Sequence, residues 1–314
     1  MANSIPKRIL FLILTLILVT VLAFLAFSII PGDPTSSILG LEASDEQIAA
    51  LRERLGLDLP IWERYIKWIS AFVTGDFGTS YNYDIPVAEL LAPRVSVTLT
   101  LAVMALILII AISLPIGILA ARYEGGVIDK VLTVSNQIVM SVPGFLMGIA
   151  LTYVFGLVLK WFTPGGYTSP DQGIGRYLWY LLFPAVAVAL PKSAMTIKML
   201  RSSILSQMNE AYVRTAYSKG NTKASTLWRH VLRNAMIPVV TFIAMTVADI
   251  VAGSIVIEQV FAIPGLGQML VSSIGNRDYP VVQAIVVMIA AVVVLCNFAA
   301  DMLYKVMDPR LRGR

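Results

Sequence analysis

The chain reads as an all-α, polytopic membrane protein with six transmembrane helices, and three observations carry that reading. Fifty-seven per cent of its 314 residues are apolar and only 14% are charged, whereas soluble domains run near a quarter charged. Apolar stretches recur that are long enough to cross ~30 Å of hydrocarbon, which takes about 20 residues of helix. Basic residues collect in the pieces between and beyond these stretches that fall on one side of a six-span chain, as the positive-inside rule requires. The same composition excludes a disordered chain, a collagen and a disulfide scaffold, since there are 21 Gly, 16 Pro and one cysteine, Cys296.

The elements follow in order. Residues 1–8 form a short N-terminus carrying Lys7 and Arg8, and 9–30 form an uncharged first span. That run exceeds the ~7–15 residues of a signal-peptide core, and no clear A-x-A site closes it, so an uncleaved helix is expected. Further spans are expected over 97–121, 131–159, 177–200, 237–261 and 281–304. The N-terminus, the segment 202–234 and the tail 305–314 then share one side. Segment 202–234 and its flanking Arg201 supply Arg201, Arg214, Lys219, Lys223, Arg229 and Arg233 against Glu210, and the tail supplies Lys305, Arg310, Arg312 and Arg314 against Asp308. These three pieces are expected in the cytosol. The segment 31–96 holds ten acids and five bases and is expected outside. The +5 net charge is thus a topology signal, and no basic run with interleaved aromatics points to nucleic acid.

Both non-membrane pieces have helical patterns. In 31–96, Ser44 and Gln47 have capping-box spacing, followed by Ile48, Leu51 and Leu55 and a possible stop at Gly56. A second pattern runs Ile61, Tyr65, Trp68, Ile69, Phe72 and ends near Gly75. This small helical segment is either a cap on the membrane face or a docking surface. In 202–234, Glu210 to Lys219 reads as a helix stopped by Gly220, and Lys223 to Arg233 as a second short helix. Such a pair either packs idly on the spans or fits a partner's groove.

Catalytic sets are missing. The dipeptide Gly-Lys does not occur, so there is no P-loop. His230 is the only histidine and Cys296 the only cysteine, which excludes His-rich zinc sites. Ser80 and His230 fall on opposite sides of the membrane. The acids of the later spans are scattered: Asp249 at mid-span, Glu258 near one end of the same helix, Asp301 near the far end of the last. The chain is therefore read as a non-enzyme without a cofactor or metal site of its own.

Several blocks resemble one family. Glu210-Ala211-Tyr212-Val213-Arg214-Thr215-Ala216-Tyr217-Ser218-Lys219-Gly220, followed by His230-Val231-Leu232-Arg233-Asn234-Ala235-Met236-Ile237-Pro238, resembles the cytoplasmic loop of ABC-importer permeases of the dipeptide, oligopeptide and nickel group. Pro31-Gly32-Asp33-Pro34, the run Gly253 to Phe261 leading into Pro264-Gly265-Leu266-Gly267, Asn276-Arg277-Asp278-Tyr279-Pro280 and Asp308-Pro309-Arg310 agree in order. The resemblance covers essentially the whole length. In the slot of the general Glu-Ala-Ala motif this chain has Arg214-Thr215-Ala216, with Gly220 in register.

The resemblance implies a type I ABC-importer permease fold and a B-type membrane subunit in the bacterial cytoplasmic (inner) membrane. It implies a second homologous permease, two ATPase subunits that bind ATP and Mg, an extracytoplasmic solute-binding protein and a lipid surround. Dipeptides or oligopeptides are the expected cargo, with glutathione or nickel and metal chelates as alternatives within the family. A stand-alone secondary transporter is the alternative of another class, and no matched pair of interrupted spans supports it. Glu210, Ala211, Arg214, Thr215, Ala216 and Gly220 are the expected ATPase-coupling residues, with Glu210 and Arg214 both candidates for the main polar contact. Lys192 and Asp249 are charges inside spans. They either form a structural pair or line the pathway.

Overall fold

The computed structural model describes residues 4–29, 44–54 and 58–307. Pro31-Gly32-Asp33-Pro34, Gly56 and Asp308-Pro309-Arg310 lie outside the described residues. Helices dominate the remainder: α1 Ser4–Ile29, α2 Asp45–Arg54, α3 Ile61–Val73, α4 Val87–Arg122, α5 Val127–Ser141, α6 Gly144–Leu151, α7 Ile174–Met208, α8 Ala211–Ser218, α9 Lys223–Thr226, α10 Leu232–Val260, α11 Leu266–Gly275 and α12 Tyr279–Met307. Continuous helices long and apolar enough to cross a membrane cover Lys7–Ser28, Val87–Arg122, Ile174–Met208, Lys223–Val260 and Tyr279–Leu303. Several outrun the apolar stretches read from sequence. Hydropathy marks only the part of a helix that sits in hydrocarbon, while the hydrogen-bond ladder continues into polar surroundings.

The span expected over 131–159 is not one helix. α5 and α6 meet at a bend of 100°. Val142 is extended (φ −89°, ψ 121°) and Pro143 follows at φ −59°, ψ 143°. Proline lacks an N–H and pushes the preceding residue out of the helical region, so the ladder stops there. Beyond α6 the coil widens into a π turn over Thr152–Val158. The bent pair still makes one crossing, because its contacts advance steadily along α7. Asp129 meets Arg201, Asn136 donates to the Ala194 carbonyl at 2.7 Å, Phe155 meets Phe183 at 5.7 Å between ring centroids, and the Trp161 carbonyl accepts from Trp179. From residue 201 back to 179 is about 33 Å of helix at ~1.5 Å per residue, the thickness of a bilayer core. With this broken span the described residues hold six crossings.

Two compact units divide the chain. One comprises residues 99–263 with 295–314. Here α5, α6 and α10 all pack on α7. Glycine allows one close approach: a Cβ on Gly148 of α6 would sit 3.2 Å from Phe261 and 3.4 Å from Ile257. The Tyr180 hydroxyl donates to the Phe261 carbonyl at 2.6 Å and fastens the end of α10 to α7.

The other unit comprises residues 2–98 with 264–294. Its core joins Val87, Leu90 and Leu91 to Leu266, Met269, Val281 and Ile285. Asp278, fully buried, accepts from the Ser80 hydroxyl and from the Tyr81 and Asn82 amides at 3.0 and 3.4 Å. One carboxylate thus holds the turn before α4 against the start of α12. Burial, and next the Asp278 charge, push the Tyr81 hydroxyl up to about 12, so it stays a neutral phenol. Ser44 and Gln47 exchange the two bonds of a capping box at 3.1 and 3.3 Å, which starts α2 where the spacing predicts. α3 packs Tyr65 and Trp68 on Phe24 of α1, at 5.5 and 5.6 Å, and the Tyr65 hydroxyl bonds Thr20 at 2.9 Å. Another flank leaves Trp62, Ile66 and Val73 exposed, and Ile61 is exposed at the helix start.

Candidate functional site

The segment between α7 and α10 is a small platform. Asn209 and Glu210 end α7's run, with Glu210 extended at the N-cap of α8. Gly220 closes the turn at φ +82°, a conformation that costs other L-residues about 1–2 kcal/mol. A Cβ there would meet nothing within 4 Å, so the requirement is on the backbone alone. The Thr222 hydroxyl accepts from the Ser225 amide at 3.2 Å and begins α9. The segment Lys223–Arg233 is not a separate short helix. It passes through a π turn at Leu227–Val231 straight into α10.

The platform has a packed face and an open one. Val213 and Ala216 turn inward, at 0% and 7% exposure, and Val213 packs in a core with Leu200, Ile204, Leu227, Val231 and Ala235. Residues of α4, α7, α8 and α10 meet in this core, so movement of α8 bears on three long helices at once. Ala216 therefore belongs to the seating of the platform. Ala211, Arg214, Thr215 and Gly220 lie on the exposed side with Glu210 and Tyr217. Among the described residues no ion pair joins Glu210 to Arg214. Trp228, 58% exposed beside Arg229 and His230, adds an aromatic group to the same segment. The sequence reading missed it, although a large aromatic beside two basic residues was the available signal.

A second feature was invisible in sequence. Arg201, near the end of the expected fourth span, grips Asp129 with Nε and Nη2, both at 2.7 Å. Asp129 is 4% exposed and also accepts from the Gly125 amide at 2.9 Å. This two-pronged pair clamps the α4–α5 turn to the part of α7 that leads into the platform.

Lys192 and Asp249 meet between α7 and α10, with Nζ 2.7 Å from Oδ2. Their side chains are 26% and 64% exposed. Lys192 lies nine residues from Arg201 along α7, about 14 Å at ~1.5 Å per residue, near the middle of the spanned thickness. Among the described residues no group of three or more His, Cys, Asp or Glu side chains is gathered as a metal ion would require.

Residues 113–313 match the family described as the binding-protein-dependent transport system inner membrane component, and residues 1–102 match the N-terminal component of the same kind of system. The "Probable peptide ABC transporter permease protein y4tP" of Sinorhizobium fredii is 36% identical over 312 residues, covering 99% of this chain and 100% of that protein. The "Oligopeptide transport system permease protein AppB" of Bacillus subtilis is 36% identical over 314 residues, 99% of both chains. The "Glutathione transport system permease protein GsiC" of Escherichia coli is 36% identical over 312 residues, again 99% of both.

Proposed function

From the premise that the chain belongs to the family of binding-protein-dependent transport system inner membrane components, we propose that it forms half of the translocation pathway of an ATP-driven peptide importer. Transport against a gradient needs work, and this sequence has no nucleotide-binding loop. Work then enters through a contact with ATPase subunits that bind ATP and Mg, while a second permease completes the pathway and an extracytoplasmic binding protein delivers the cargo. The chain sits in the bacterial inner membrane with both termini in the cytosol, and residues 31–96 face outward toward the binding protein.

One observation carries the coupling role: α8 is rooted in a core shared by α4, α7 and α10, yet its opposite face is left open. Glu210, Ala211, Arg214, Thr215 and Tyr217 form the contact, Ala216 seats it, and Gly220 sets its angle. The Asp129–Arg201 clamp keeps the platform and spans moving as one piece. Peptide cargo is supported by two relatives named for peptide and oligopeptide transport. Glutathione, itself a tripeptide, is the second reading, supported by the relative named for it.

The test uses Gly220. Gly220→Val places a β-branched residue at positive φ, whereas Gly220→Asn tolerates that region. The assembled importer carrying Gly220→Val inserts normally and loses substrate-stimulated ATP hydrolysis, and the Asn variant keeps most of it. Wild-type stimulation in the Val variant counts against the coupling assignment.

A further inference from the structure

The Lys192–Asp249 pair is poorly placed for a structural role. A structural ion pair in a membrane is covered, but here most of the aspartate side chain is open, and only Oδ2 engages the lysine. Lipid is a poor cover, since an ionised group at this depth costs ~2.5–3.5 kcal/mol on insertion scales.

The surrounding face also differs from those that suit lipid. Exposed positions on α1 are mostly large and apolar, as at Ile9, Leu14, Leu18 and Leu22 with Thr15 and Ala26 among them, and Leu99, Val103 and Ile107 on α4 are alike. Along α10 the exposed line instead reads Met245, Asp249, Ala252, Gly253, Val256 and Gln259. One turn from each charge stands an exposed methionine, Met195 at 41% and Met245 at 52%.

Resting on the peptide-importer reading, we propose that Lys192, Asp249, Met195 and Met245 form a recognition step in the aqueous conduit that takes the backbone termini of a zwitterionic peptide. Asp249 receives the ammonium group and Lys192 the carboxylate. The methionines accommodate variable side chains, because an unbranched thioether adapts its shape to different apolar groups. A passing zwitterion breaks one ion pair and makes two, and the protein pair re-forms behind it. No charge is left unpaired at either stage. The step therefore selects for opposite charges on one solute without selecting among side chains.

The test is charge-selective labelling in the complete importer, in a Cys296→Ser background. Met245→Cys and Met195→Cys are treated with membrane-impermeant cationic and anionic methanethiosulfonates. In the conduit both introduced thiols react, and a transported dipeptide delivered by its binding protein slows the reaction. Asp249→Asn slows the cationic reagent and speeds the anionic one at position 245, each about fivefold as for unit charges ~4 Å apart in water, so their rate ratio falls about 25-fold. Lys192→Met raises it by a similar factor. Thiols that react with neither reagent, or with both regardless of the charge variants, overturn the proposal. Labelling with the expected charge dependence but no protection by peptide overturns the peptide-termini assignment. Complete failure of the wild-type importer to move peptide, with labelling intact, is instead a failure of the cargo reading.

Discussion

Arg201 and Asp129 show how much a single contact can hold. Removing one partner leaves the other charge half-buried or buried without compensation, which typically costs about 3–5 kcal/mol. Arg201→Ala is therefore expected to lower the thermal midpoint and the detergent-extracted yield sharply. Arg201→Met with Asp129→Leu, which removes both charges, recovers most of the loss. Equal damage in the single and double variants would show that the clamp acts by shape alone. Gly148 makes the converse point, since it works by what it lacks. Its missing Cβ lets α6 approach Phe261 and Ile257. Gly148→Leu forces these helices apart, at about 1–3 kcal/mol of overpacking, and should reduce stability without altering the charge-selective labelling at positions 195 and 245.

At the level of elements, α3 carries the clearest expectation. Its aromatic side meets Thr20 and Phe24, which lie inside the apolar stretch Lys7–Ser28 of α1. A helix packed beside this apolar stretch at the outer face of the membrane is expected to turn Trp62, Ile66 and Val73 to acyl chains and the exposed Lys67, on the opposite flank, to the headgroups and water. Nitroxides at positions 62, 66 and 73 should be relaxed by oxygen and not by a water-soluble nickel chelate. Strong relaxation by the chelate would place this face in water.

The elements also show what is legible beforehand. Ser44 with Gln47 announces α2, and Gly220 announces the end of α8, because caps and turns are local chemistry. Pro143 and Gly144 allow either close packing or a kink, and the 100° bend depends on how α6 then packs on α7 and α10. The separate second helix expected at Lys223 does not form. Polar composition after a glycine looks like a surface piece, yet the chain winds on into α10 without a stop. The Arg201–Asp129 clamp joins residues 72 positions apart, a distance over which no spacing rule operates. Lys192 and Asp249 stand out singly as charges in apolar runs, and only the fold brings them to 2.7 Å.

Across the described residues, up to six crossings, an open platform and an exposed ion pair fit one component of a larger transport system. The interruption at Val142–Pro143 sharpens this. A helix that breaks within a bilayer frees backbone carbonyls and amides, and hydrocarbon cannot satisfy them. Ser141 and Pro143 are both exposed at that point, so lipid cannot seal the perimeter of a solitary copy there. Copies made in excess of their companions are consequently not a reserve. Each is expected to leave this break open to lipid, so its lifetime in the membrane should lengthen when a second permease subunit is made beside it.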